Sequence, residues 1–150
     1  MKLIIIDMKK IFYLGIFLSA FVLFQANSQA RSELNFGLIG ANYEIPVHRD
    51  ITIAPGAATN LNLDWLTAFV RGNYYFDNLF KIENEAWDVY GGAAAGFAIY
   101  NGDNDKDNDL DIGLHVGGRW FWNETWGLYL EIGGGSTQGA NGGIGLTVKL

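Results

Sequence analysis

Between Leu110 and Gly135 the chain alternates apolar and polar residues with almost no error. Leu110, Ile112, Leu114, Val116, Trp120 and Trp122 share one parity, and Asp111, His115 and Arg119 share the other. After Asn123-Glu124-Thr125 the pattern resumes, with Trp126, Leu128, Leu130 and Ile132 set against Tyr129 and Glu131. Side chains that change face at every residue belong to a strand, whereas a helix repeats every 3.6 residues. Two such runs around a short break make an antiparallel hairpin. With Asn-Glu-Thr as its turn, Glu131 falls opposite Gly117, diagonally between His115 and Arg119 and within reach of long side chains. The same period of two runs through the chain beyond residue 30, and helical spacing is hardly seen. Strands are expected over 33–45, 50–59, 64–76, 87–101, 110–122, 126–134 and 141–150. Most of these runs have about ten residues or more, against about 5–6 for soluble strands and about 9–11 for strands that cross a bilayer.

Residues 1–30 read as an export signal and stand outside the fold. Lys9 and Lys10 precede the apolar run from Ile11 to Phe24, and Ser28 and Ala30 occupy the small-residue positions of a cleavage site. Met8 is the expected true start. The apolar run is shorter than the roughly 20 residues of a membrane-spanning helix, and no cysteine follows it for lipid attachment. A single domain is expected over 31–150. The leader carries three lysines against one aspartate, so its removal takes the net charge from −6 to −8. Such a balance opposes nucleic-acid binding, which needs clustered lysine and arginine to neutralise phosphates. The exported domain also has no cysteine, although small secreted folds commonly rely on disulfides. Either its core suffices, or another medium covers its apolar surface. Nineteen of the 20 glycines follow the leader and only two prolines occur, a balance suited to long paired strands.

The connections alternate between two kinds. IPVHRD (45–50), the segment from Asp77 to Ala86 and NET (123–125) sit among bulky residues, including Tyr43, Tyr75 and Phe121. AATNLN (57–62), NGDNDKDND (101–109) and GGSTQGANGG (134–143) are small or polar. Alternation places the first kind at one end of a strand array and the second kind at the other. Tyr74, Phe76, Trp87, Trp120, Trp122 and Trp126 then gather at one end, as an aromatic girdle does at a membrane interface. On the non-lipid parity, polar residues such as Arg71, Asn73, Asp111, His115, Arg119 and Glu131 mix with very small ones, as in Gly92-x-Ala94-x-Gly96-x-Ala98. A water-facing surface has no need of that mixture. A narrow lumen does, because a small residue makes room for an arginine or tyrosine reaching across.

The leader, the YYFDNL turn, WDVYGGAAAGF, the RWFWNETWGLYLEIGGG hairpin and the terminal GLTVKL resemble the small outer-membrane β-barrel proteins of Gram-negative bacteria, in particular short barrels with no assigned activity. The resemblance covers most of residues 33–150 and is architectural. It implies an all-β, antiparallel, up-and-down transmembrane barrel of eight strands, with short periplasmic turns, longer surface loops and both termini in the periplasm. Only seven strands are readable. The eighth is expected from a lost first strand, from a bend within 50–65, or from a misplaced cleavage site.

Three constellations bear on chemistry. Arg71, Asp111, His115, Arg119 and Glu131 are read as a lumen ion-pair network, because buried charges need partners and the partners are present. The sharper alternative is a proton- or ligand-handling site around His115, whose ring titrates near neutral pH. Asp103, Asp105, Asp107 and Asp109 alternate like the opening of a calcium loop. Asn108, however, stands where the turn glycine belongs, and Leu114 where the bidentate glutamate belongs. Weak Ca²⁺ association is thus the one cofactor reading on offer. His48, His115 and Ser136 are the raw material for a lipid-modifying enzyme, yet no nucleophile-elbow or Ser-x-x-Lys pattern accompanies them. The expectation is a pore-less barrel of the outer membrane, monomeric and not an enzyme, with lipid as its partner and a structural or surface-interaction role. A barrel module binding Ca²⁺ or an unidentified surface ligand through loop 101–109 is the alternative.

Overall fold

The computed structural model describes residues 31–100, 109–136 and 139–150. Eight antiparallel strands close into a barrel in simple sequence order. They are β1 (Glu33–Gly37), β2 (Gly40–His48), β3 (Ile51–Thr59), β4 (Trp65–Tyr75), β5 (Trp87–Tyr100), β6 (Asp109–Phe121), β7 (Trp126–Gly135) and β8 (Gly139–Lys149). A one-turn helix, α1 (Asp77–Phe80), lies in the connection between β4 and β5, where the sequence announces no helix. The closing seam pairs β1 with β8, from Glu33↔Lys149 to Gly37↔Gly145. Closure gives every strand a neighbour on both sides.

The eighth strand comes from none of the three expected sources. The run 33–45 is two strands, β1 and the start of β2, joined by a two-residue turn at Leu38-Ile39. Both turn residues are exposed, and neither is of the glycine, asparagine or aspartate type that usually marks a hairpin. A signal was nonetheless present. Glu33 and Asn35 are buried at odd positions and Glu44 at an even one, so the inward face changes phase between them. One unbroken strand cannot turn both sets inward. The split also puts the start of β1 and the end of β8 at the end that carries the β2–β3, β4–β5 and β6–β7 turns.

The alternation sorts the wall into two surfaces. Leu66, Val70, Phe97, Ile112, Leu114, Leu130, Ile132 and Ile144 project outward and are exposed. Among the described residues, no outward position between the first and last residues of any strand carries a charged side chain. Tyr74, Trp87, Trp120, Trp122 and Trp126 are also exposed, all near the end where β1 begins and β8 finishes, the terminal end of the barrel. Phe76 beside them packs on Tyr74 and Phe80, with ring centroids 5.3 and 5.7 Å away.

Inside, bulk is matched to absence of bulk across adjacent strands. Phe69 faces Gly56, Tyr90 faces Gly117, Phe121 faces Gly127 and Tyr129 faces Gly145 in the strand register. A Cβ at any of these glycines would lie 2.6–2.7 Å from its partner's ring. Each ring therefore lies flat over the backbone of the next strand, and alanine there would push it back into the lumen. Gly117, opposite Glu131 in the hairpin, leaves room for Tyr90.

Candidate functional site

The inward side chains form two layers. The layer nearer the start of β1 and the end of β8 is centred on Arg119 of β6, which is 2% exposed. Its Nη1 donates to Glu33 Oε2 at 2.9 Å and to the Tyr75 hydroxyl, and its Nη2 donates to Glu44 Oε1. Its guanidinium also lies 4.3 Å from the centroid of the Tyr90 ring. Each carboxylate is satisfied further. Glu33 accepts from Arg31 Nε at 2.6 Å and from Thr147 at 3.1 Å. Glu44 accepts from Thr52, Tyr75 and Asn35 at 2.6, 2.7 and 2.9 Å. Arg31 also holds Asp88 at 2.6 Å. Lys149 Nζ lies 3.7 Å from the centroid of the Phe121 ring. Two arginines thus meet three carboxylates, and hydroxyl and amide donors satisfy the rest, which is the condition for burying so many charges in a narrow interior.

The second layer lies nearer the opposite end. Arg71 of β4 and Glu131 of β7 form a two-pronged pair, both bonds 2.9 Å, across the lumen. The Tyr90 hydroxyl donates to Glu131 at 3.0 Å and so links the two layers. His115 Nε2 lies 2.6 Å from Asn73 Oδ1.

All five residues expected to form one lumen network face inward, but they divide. The expected register is present, with Gly117 opposite Glu131. Glu131 nevertheless reaches neither His115 nor Arg119; its partner is Arg71. Arg119 pairs with Glu33 and Glu44, which sequence reasoning did not select. Asp111 lies near the rim, with Ser136 Oγ 3.5 Å from its Oδ1. Adjacent register shows which residues are neighbours in the wall. Pairing in a lumen is settled across it, between strands far apart in sequence. The inward phase of Glu33 and Glu44 was the available signal, hidden by reading β1 and β2 as one.

Above the second layer, the lumen contains a cavity of about 180 Å³ lined by residues such as Asn42, Thr67, Arg71, Ala94, Asp111, Tyr129 and Asn141. Within its wall, Thr67 Oγ1 and Arg71 Nε are closed off from solvent without a hydrogen-bond partner among the described residues. Each such atom costs about 1–3 kcal/mol.

The remaining candidates are dispersed. Asp103, Asp105 and Asp107 lie outside the described residues. Asp109 is exposed and its carboxylate accepts from the Leu110 N–H at 2.8 Å. Among the described residues, no three His, Cys, Asp or Glu side chains converge as metal ligands. His48, expected in a turn, ends β2 at the terminal end, while Ser136 follows β7 at the opposite end. The Ser136 hydroxyl engages the backbone of β6 instead. Comparisons of the chain with family models, with curated proteins and with solved structures return no match.

Proposed function

We propose that the chain is a small, pore-less outer-membrane β-barrel whose role is structural or one of surface interaction. The observation that carries this reading is the outer wall. Its apolar side chains are exposed around the whole circumference, and charge is confined to the strand ends and the interior. A soluble monomer rarely exposes a contiguous apolar patch beyond about 300–600 Å², and this surface is continuous. Bilayer lipid covers such a band, and closure gives each strand the neighbours that a wall in lipid requires. Seven of the eight strands have nine or more residues, enough to cross a hydrocarbon core when tilted. Trp87, Trp120, Trp122 and Trp126 supply an interfacial girdle at the end where β1 begins and β8 finishes, which the resemblance makes the periplasmic side. The leader read over residues 1–30 supplies the export route.

The interior supports the pore-less part of the proposal. Eight strands leave a lumen just wide enough for side chains, and Arg119, Tyr75, Tyr90, Glu33 and Glu44 fill it without exposure. Fractionation of expressing cells tests the reading. The protein is expected in the outer-membrane fraction, released by detergent, and to migrate faster on gels when unheated than when boiled. Recovery entirely in the detergent-free soluble fraction would overturn it.

A further inference from the structure

We propose that the first half of β8 is a docking edge for an extended segment of a partner protein, which adds to the barrel as a short strand in line with β1. The two strands of the closing seam are unequal, since β1 has five residues and β8 eleven. Their pairing stops at Gly37↔Gly145, where the chain turns away into β2 through Leu38-Ile39. β8 begins well before that point, at Gly139, and is paired with β7 along its whole length. Between Gly139 and Ile144, therefore, no described strand lies against the flank of β8 that faces β1.

That flank carries hydrogen-bonding groups. Residues of an antiparallel strand bond alternately to one neighbour and to the other. The Lys149 N–H donates to the Thr125 carbonyl on the β7 side at 2.8 Å, and the Leu150 N–H to the Ser32 carbonyl on the β1 side at 3.0 Å. Even-numbered residues of β8 thus turn their N–H and C=O groups toward β1. Val148 and Leu146 meet Leu34 and Phe36 there, whereas Ala140, Gly142 and Ile144 meet no described strand. All three are exposed, and Ala140 and Gly142 put no bulk beside the edge. Such a row of donors and acceptors is a template for strand pairing, and in lipid each open group costs several kcal/mol.

The spacing of those groups chooses the occupant. An alkyl chain has neither donors nor acceptors, and a small polar molecule meets single groups and not a ladder. An extended peptide supplies both at the strand repeat, as in strand addition to other open sheet edges. The two sides of the gap specify its residues. Asn141 and Gly143 of β8 and Gly40 and Asn42 of β2 border the lumen cavity, so inward residues of the added strand are small or polar. Outside, Leu38 and Ile144 are 83% and 62% exposed, so its outward residues are apolar. An apolar turn at Leu38-Ile39, which the hairpin itself does not require, thereby gains a use. The edge follows from the strand register and stands whichever medium surrounds the barrel.

The test follows amide exchange by NMR in the isotope-labelled protein folded in micelles, with the peptide acetyl-Val-Ser-Val-Ser-Val-amide as probe. In the free protein the Ala140 and Gly142 N–H groups are expected to exchange faster than those of Asn141 and Gly143, which bond to β7. The peptide is expected to give saturable shifts from Ala140 to Ile144 and to slow exchange at Ala140 and Gly142. The same peptide N-methylated at its valines, whose N–H groups face β8 in the added strand, is expected to bind at least about ten-fold more weakly, the worth of one or two hydrogen bonds. Gly142→Pro removes one edge donor and no bond to β7, as proline does on an edge strand; it is expected to weaken the peptide similarly while stability is kept. The proposal falls if Ala140 and Gly142 exchange as slowly as their neighbours in the free protein. It also falls if the peptide gives no saturable shifts at this edge, or if N-methylation leaves binding unchanged. Protection that depends on protein concentration would assign the edge to a second copy, and protection conferred by detergent alone would assign it to lipid; either overturns the proposal.

Discussion

Arg119 shows how much of this fold rests on single buried charges. Its flat guanidinium reaches two carboxylates and a phenol at once, a geometry that lysine cannot reproduce. Arg119→Met keeps most of the side-chain length and leaves Glu33 and Glu44 short of one cation. Breaking a buried pair from one side costs about 3–5 kcal/mol. The variant is expected to unfold from micelles at correspondingly lower urea concentration, and a midpoint equal to wild type would refute the role given to Arg119. Asp77, outside the barrel wall, makes the opposite case. Its Oδ1 accepts the Val89 N–H at 3.0 Å, but Oδ2 is unpartnered, and burial pushes the carboxyl above the ordinary aspartate range. The folded state therefore holds the proton more tightly than the unfolded state. Its contribution to stability is greatest below the unfolded value and declines as pH rises through the folded one. Asp77→Asn keeps an acceptor for Val89 without the charge. The substitution is expected to stabilise the protein at neutral pH, with the gain fading on acidification toward the ordinary aspartate range. A gain that is flat with pH would contradict this assignment.

At the scale of elements, β7 separates a lipid-facing wall from a water-facing one. Leu130 sits in the middle of the strand, points outward and is 63% exposed. Arginine at the midplane of a barrel strand costs about 2–4 kcal/mol when that face meets lipid, whereas an exposed position in a soluble barrel shifts by no more than about 0.5 kcal/mol. Leu130→Arg is expected to lower both membrane recovery and unfolding stability; wild-type values for both would count against a lipid-facing β7. The β6–β7 hairpin was legible in full, turn and register included, because its alternation is uninterrupted and its turn is polar. The β1–β2 hairpin was not. Its turn is Leu38-Ile39, apolar like the strands, and only the change of phase between Asn35 and Asn42 betrays it.

For the molecule as a whole, the question is whether anything passes through. Arg119 of β6 reaches Glu33 of β1, Glu44 of β2 and Tyr75 of β4, so its layer spans the lumen, while Arg71 and Glu131 line the cavity beyond it. Planar-bilayer recordings of the purified barrel are expected to show no steady open-channel conductance. Stable channel steps would mean that the terminal layer does not seal. Such a result would leave the membrane reading intact and remove only its pore-less part.

The sequence by itself determined the strand period, the antiparallel class, the sorting of apolar from polar faces and the gathering of aromatic residues at one end. These follow from local rules, since every second side chain shares a face and a hairpin aligns its own neighbours. Tertiary structure alone decided the strand count, the division of the charges into two layers and the lumen cavity. Glu33 meets Arg119 across 86 residues and Arg71 meets Glu131 across 60. Neither pair has a local spacing to announce it, because partners in a barrel interior are chosen by closure, which brings opposite walls within reach. Barrel closure also turns Thr67 of β4 and Asn141 of β8 toward one cavity. In the opening hairpin, then, the alternation specified which residues face inward, and the far wall specified what they hold.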